Sequence, residues 1–312
     1  MSEQSEAELL EELRPASFAI AYRMLGSVAE AEDVVQEALI RVHRALEAGE
    51  RIESPRAFTA TVTTRLAIDS LRSARVRREQ YVGEWLPEPI LTDGHDDPAR
   101  HAEMADSLSL AMLVLLESLT PEQRAALLLR DVFDYGYDEI ARIVGKTEAN
   151  VRQLASRARA HVEERRPRFQ TSREQREALT ERFFAAVTDG DLAGLESMLA
   201  HDVQLTGDGG GKAPALARPL SGRNRVARAL LGWSRLGARI PGASIEPVDV
   251  NGEPGALLLD GERRLIGVWA IEIADKEIVA LRSIVNPDKL AHLGPVADAR
   301  ALLRIAARRR DV

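Results

Sequence analysis

Residues 137–159, YDEIARIVGKTEANVRQLASRAR, decide how the first half of this 312-residue chain is read. Two helices that cross sharply need a small residue at the crossing, a turn residue free to take positive φ, and apolar residues that lock one helix onto the other. Ala141 fills the first place, Gly145 the second, and Ile140, Val144, Val151 and Leu154 the third. Thr147 stands where the second helix begins and is placed to cap it, and Glu148 suits the positive end of the helix dipole. The spacing predicts a helix-turn-helix whose second helix presents Thr147, Asn150, Arg152, Gln153, Ser156, Arg157 and Arg159 to DNA. Carboxamides and guanidiniums are the groups that read base edges and hold phosphates. The plain alternative is a helical hairpin with a solvated basic face, and the agreement of crossing, turn and lock positions weighs against it.

A net charge of −7 would by itself argue against nucleic acid, since phosphate binding needs clustered Lys and Arg. The distribution reverses that argument. Between 65 and 78 stand Arg65, Arg72, Arg75, Arg77 and Arg78 against Asp69 alone, and between 142 and 168 eight basic residues stand against three glutamates. Two basic islands in an acidic chain are the footprint of localised DNA contact. With no cysteine there is no disulfide, thiolate zinc site or thiol switch, and the six His show no HExxH spacing. No apolar run approaches the length of a membrane span, and the first residues, MSEQSEAELLEELR, are acidic where a secretory signal is basic. The expectation is a cytoplasmic protein with no membrane partner, metal or cofactor.

Helical spacing fills residues 5–79, with Ala31, Val34, Val35, Ala38, Leu39 and Val42 on one buried face and a helix start at Ser54-Pro55. The Pro- and Gly-containing stretch 81–101 reads as a linker, and helices resume over 102–168 with a second cap-and-proline start at Thr120-Pro121. After Pro167 the pattern changes. Helices are expected at 173–189, 192–199 and 224–236, strands at 203–205, 244–250, 256–259, 265–274 and 277–285, and a last helix at 296–310. The fold class is multidomain, two all-α domains (5–80 and 102–168) followed by an α+β domain (169–312).

Residues 18–46, with AEDVVQE at 31–37, resemble the first conserved region of sigma factors; 56–78 resemble the promoter-melting region that follows, and 116–166 the terminal helix-turn-helix domain. The resemblance is to the extracytoplasmic-function type. It implies that Asp33, Gln36, Glu37 and Arg41 grip core RNA polymerase and that Arg65, Arg72, Arg75, Arg77 and Arg78 melt promoter DNA, with the loop 47–54 capturing an extruded base. Many members carry Asn where this chain has Arg65, so its promoter sequence stays open.

Three further stretches, YVGEWLPEP at 81–89, DGGGK at 208–212 and NPDKL at 286–290, resemble the subgroup with a fused SnoaL-like domain, which implies that the extension regulates the sigma domains. The regulatory residues expected are Trp85, Leu86, Pro87, Asp208, Gly209, Gly210, Gly211, Lys212, Asn286, Pro287, Asp288 and Lys289. DGGGK is not a phosphate loop, since Thr206 and Ala213 stand where a Walker loop needs Gly and Ser or Thr. It is expected instead to pack near Trp85-Leu86-Pro87. The SnoaL-like fold also hosts isomerases, for which His201, Asp202 and Asp208 are acid–base candidates by type only. Two rivals to the sigma reading remain at this point, a SnoaL-like isomerase or hydrolase fused to a DNA-binding module and a repressor that works without polymerase; within the sigma reading, a small-ligand pocket without chemistry is also open in the C-terminal domain.

Overall fold

The computed structural model describes residues 3–92, 109–165 and 171–308, with side chains for all of these except 3–4, 74–77, 79, 165 and 308. The expectations for the side chains of Arg75 and Arg77, for the linker at 93–101, for the helix at 102–108 and for the basic run at 309–310 lie outside the described residues. The described residues form two compact units, one of residues 3–80 and 112–165, the other of residues 81–92, 109–111 and 171–308.

In the helical unit α1 (Glu3–Leu25), α2 (Val28–Glu47) and α3 (Pro55–Glu79) pack on one another. Ser27 caps α2 by accepting from the Glu30 N–H, and the helix buries Ala31, Val34, Val35, Ala38 and Val42 at three-and-four spacing. Ser54 Oγ accepts from the Ala57 N–H, and α3 then runs on to Glu79, past the 56–72 segment that apolar spacing marks. Arginine is a good helix former, so the basic island prolongs the helix without adding to its apolar face. There follow α4 (Leu110–Leu116), α5 (Pro121–Asp131), α6 (Tyr137–Val144) and α7 (Glu148–Arg165). Thr120 and Gln123 close a reciprocal capping box at the start of α5.

The second unit contains α8 (Arg173–Asp189), α9 (Leu192–Met198), β1 (Leu199–Asp208), β2 (Leu220–Ser221) and α10 (Arg223–Gly237). Then come β3 (Ser244–Val250), β4 (Glu253–Leu259), β5 (Leu265–Ala274), β6 (Glu277–Ile284), α11 (Pro287–Leu290) and α12 (Ala299–Arg308). One sheet in the order β2-β1-β6-β5-β4-β3 holds all six strands, antiparallel except where β1 meets β6. Its middle is filled by Phe183, Leu195, Leu205, Leu230, Trp269 and Leu281, and the Trp269 Nε1–H donates to Ser283. Local pattern extends the helix to residue 199 and starts the strand at 203. The strand in fact starts at Leu199, because pairing with Ile278 of β6 outweighs helix propensity there. His201 and Asp202 lie in the irregular stretch that follows, both exposed.

Candidate nucleic-acid interface and linker clamp

Gly145 ends α6 in the left-handed conformation (φ 69°, ψ 38°), and the Lys146 N–H closes the turn onto the Ala141 carbonyl at 3.0 Å. Thr147 Oγ1 then accepts from the Asn150 N–H at 3.3 Å, capping α7. The residues buried between the helices are Ile140, Ile143, Val151 and Ala155, whereas Val144 and Leu154 stay half-buried at the margin. Ile140 and Val151 lock the helices as expected, while Ile143 and Ala155 take the places expected for Val144 and Leu154. Along the outer side of α7, Thr147, Asn150, Arg152, Gln153, Ser156 and Arg157 are exposed. Arg152 pairs with Glu148 and lies 4.3 Å over the Tyr137 ring. Arg159 is more constrained: it donates to Asp131 at 2.7 Å, a bond that pushes its pKa further up. This braces α7 against α5.

On α2, Asp33 and Gln36 are exposed, and Arg41 donates to Glu37 at 2.8 Å across one helical turn. On α3, Arg65, Arg72 and Arg78 point at protein. Arg65 donates from Nε to the Ile143 carbonyl at 2.9 Å and from Nη2 to the Arg142 carbonyl at 2.8 Å, satisfying the last turn of α6. Arg72 bonds Asp69 at 3.0 Å and Glu122 at 2.6 Å. Arg78 donates to the Leu25 carbonyl at 3.0 Å and pairs with Glu117. Sequence reasoning missed Arg124, which is 2% exposed and donates to the Met24 and Leu116 carbonyls at 2.6 Å each. Burial lowers its pKa to about 9, so it stays charged at neutral pH. The one available signal was an arginine set just before the apolar run Ala125–Leu129.

The second unit gathers the three short motifs around one carboxylate. Asp208, fully buried at the end of β1, accepts from the Tyr81 hydroxyl at 2.6 Å, the Leu86 N–H at 2.8 Å, the Lys289 Nζ at 2.6 Å and the Gly210 N–H at 3.1 Å. Lys289 also donates to the Leu86 carbonyl and sits 4.1 Å from the Trp85 ring and 5.0 Å from that of Tyr81. Asn286 caps α11 and donates to the Tyr81 oxygen at 2.8 Å. Burial, helped by the bond to Asp208, pushes the Tyr81 phenol up, which keeps it a neutral donor. Gly210 (φ 56°) is forced by space as well as by φ. A Cβ there would stand 2.3 Å from Asn286 Nδ2 and 2.9 Å from the Tyr81 oxygen. Lys212 pairs with Asp288 at the exposed rim. The chain continues as an extended strap: the His292 ring meets the Pro89 carbonyl at 2.8 Å, Ile90 and Asn251 bond reciprocally, and the Thr92 N–H reaches the Asp249 carbonyl at 2.9 Å.

Among the described residues no helix is long and apolar enough to cross a membrane, and no group of His, Asp and Glu is placed to hold a metal ion. Comparison with known proteins adds the family. The family model described as Sigma-70 region 2 matches residues 9–77, and that described as Sigma-70, region 4 matches residues 109–162. The chain is 40% identical over 306 residues to the ECF RNA polymerase sigma factor SigJ of Mycobacterium tuberculosis, covering 95% of this chain and 96% of that protein. It is 32% identical over 279 residues to the protein named "Probable ECF RNA polymerase sigma factor SigI" of the same species, covering 87% and 90%. The crystal structure of M. tuberculosis SigJ is similar over 93% of this chain and 100% of that one, with a TM-score of 0.75 and 37% identity.

Proposed function

Because the chain belongs to the extracytoplasmic-function (ECF) RNA polymerase sigma factors, we propose that each part of its helical unit has a distinct task in starting transcription. Residues 5–80 form the domain that binds core RNA polymerase and melts the promoter, and residues 102–168 the domain that reads its upstream element. The exposed side of α2, with Asp33, Gln36, Glu37 and Arg41, is the polymerase contact. Arg65, Arg72, Arg75, Arg77 and Arg78 line the melting surface. On α7 the exposed carboxamides of Asn150 and Gln153 discriminate bases, each good pair contributing about 1–3 kcal/mol. Arg152 and Arg157 hold phosphates, Thr147 and Ser156 reach the backbone, and Arg159 aligns the helix from behind. Residues 169–312 modulate these domains through the linker at 81–101, held by Asp208, Lys289 and Asn286. Such a protein works in the cytoplasm, where polymerase and chromosome meet.

The observation that carries this reading is the capped, outward-facing start of α7 in a chain related to SigJ over nearly its whole length. The isomerase reading gains no support, since His201 and Asp202 are exposed and Asp208 is committed to the linker. A ligand in the C-terminal domain gains none either, its centre being occupied by apolar side chains. The test is to mix the chain with core polymerase and a promoter library. Co-elution with polymerase and transcripts from a subset of promoters are expected; absence of a holoenzyme would reject the proposal.

A further inference from the structure

Arg65, Arg72 and Arg78, assigned above to promoter melting, are engaged by the other domain of the same unit. Arg65 reaches from α3 to the carbonyls of Arg142 and Ile143, which end the first helix of the helix-turn-helix, and Arg72 reaches Glu122 at the start of α5. The traffic runs both ways. Arg124 of α5 donates to the Met24 carbonyl near the end of α1, beside the Leu25 carbonyl that Arg78 takes. Unpaired carbonyls make a helix C-terminus the negative end of the dipole, so a guanidinium fits there by charge and by hydrogen-bond geometry. While Nε and Nη2 face these carbonyls, the Nε–Nη2 edge of the same guanidinium is not available to phosphate or base.

The junction is also built to separate. At the Arg72 end its contacts are polar and wet, Arg72 and Glu122 keeping 58% and 21% of their side chains in solvent, while Arg124 is the buried member of the junction. Elsewhere between the two domains a cleft of about 420 Å³ opens between Ile20 of α1, Thr59 of α3 and the Phe133–Tyr135 loop. A junction meant to be permanent would fill such a space, as protein interiors do.

We propose that Arg65 and Arg72 are latch residues: in the free chain they fasten α3 to the helix-turn-helix domain, and they let go of the Arg142 and Ile143 carbonyls and of Glu122 when α3 takes promoter DNA. The inference rests on the assignment of α3 as the melting surface. It gives Arg65 a task in the free protein. Closure and promoter melting are then mutually exclusive, and weakening the latch raises the fraction of chain competent to bind.

The chain has no cysteine, so Ser73→Cys on α3 and Ala149→Cys on α7, both exposed, take spin labels at two defined places. Pulsed electron-spin measurements then give the separation of the two helices. In the free full-length chain a single narrow separation is expected. Glu122→Gln, outside the DNA-reading set, and Arg65→Lys, which loses the paired donors, each raise the longer-separation population about two- to fivefold. In the holoenzyme on promoter DNA only the longer separation remains. The proposal is overturned if both variants leave the free-chain distribution unchanged, or if the short separation persists in a complex that is making transcripts. Variants that open the free chain while no holoenzyme forms would sink the assignment of function and leave the latch standing.

Discussion

The helical unit and the C-terminal unit each hold a long-range contact made of a cation and oxygens, and the two differ chiefly in burial. At the clamp, Asp208 is 0% and Lys289 5% exposed, and every charge there meets several hydrogen-bond partners. At the latch, Arg72 stands mostly in water and Arg65 binds carbonyls at a helix end. Exposed pairs contribute about 0–1 kcal/mol, whereas breaking a buried pair strands a charge at a cost of about 3–5 kcal/mol. The same chemistry therefore makes a staple in one unit and a switch in the other.

The largest expected effect breaks the staple. Lys289→Met leaves the Asp208 carboxylate buried without its cation and lowers stability by about 3–5 kcal/mol in urea denaturation of the full chain. Adding Asp208→Asn, which removes the stranded charge and keeps an oxygen for the Tyr81 and Leu86 donors, recovers part of that loss, which a simple packing defect at 289 would not allow. Gly210→Ala comes next, at about 1–3 kcal/mol, because it adds a Cβ against Asn286 at a positive φ. Its control is Gly232→Ala in α10, where a Cβ meets nothing within 4 Å; there the same melting measurement shows a gain of about 0.5–1 kcal/mol. Thr147→Ala removes the α7 cap and costs about 1 kcal/mol, read as a lower midpoint in the same denaturation.

The smallest effect lies at the latch. Glu122→Gln changes global stability by less than about 1 kcal/mol, yet shifts the separation of α3 and α7. Burial pulls the Glu122 pKa up, but the Arg72 hydrogen bond, the backbone N–H and the charges of Arg72 and Lys146 together outweigh it and the net shift is downward. A lowered carboxylate pKa means the contact is fully present above the ordinary Glu range and is lost as pH falls through the folded value. Spin-label separations in the free chain should therefore lengthen on acidification, and less so in Glu122→Gln.

The order of helices and strands was legible because it depends on local chemistry. Gly145 must take positive φ, Thr120 and Thr147 must cap, and β5 and β6 are short apolar runs on either side of a turn in which Asp275 and Lys276 take positive φ. The α+β class of the last domain followed from the same signals. Partners across long separations were another matter. Nothing near Arg65 says that its carbonyls lie 77 and 78 residues on, and Lys289 differs from any surface lysine only through Asp208, 81 residues back. The DGGGK and NPDKL stretches signalled that a contact exists. Which atoms meet, and that Tyr81 joins them, depends on the parallel pairing of β1 with β6, which brings Asp208 beside Ile284. Ile143 and Ala155 went unnoticed as locking residues for a related reason: helix periodicity fixes a face only to within a residue.

Hydrogen exchange on the full chain, alone and in the holoenzyme with promoter DNA, tests the contrast between staple and switch most directly. The account predicts that the amides of Leu86, Thr92 and Asn251, which carry the strap, exchange only with global unfolding in both states, while α3 and the end of α6 lose their mutual protection in the complex. Rapid exchange at Leu86 in either state, with α3 and α6 equally protected in both, would contradict it.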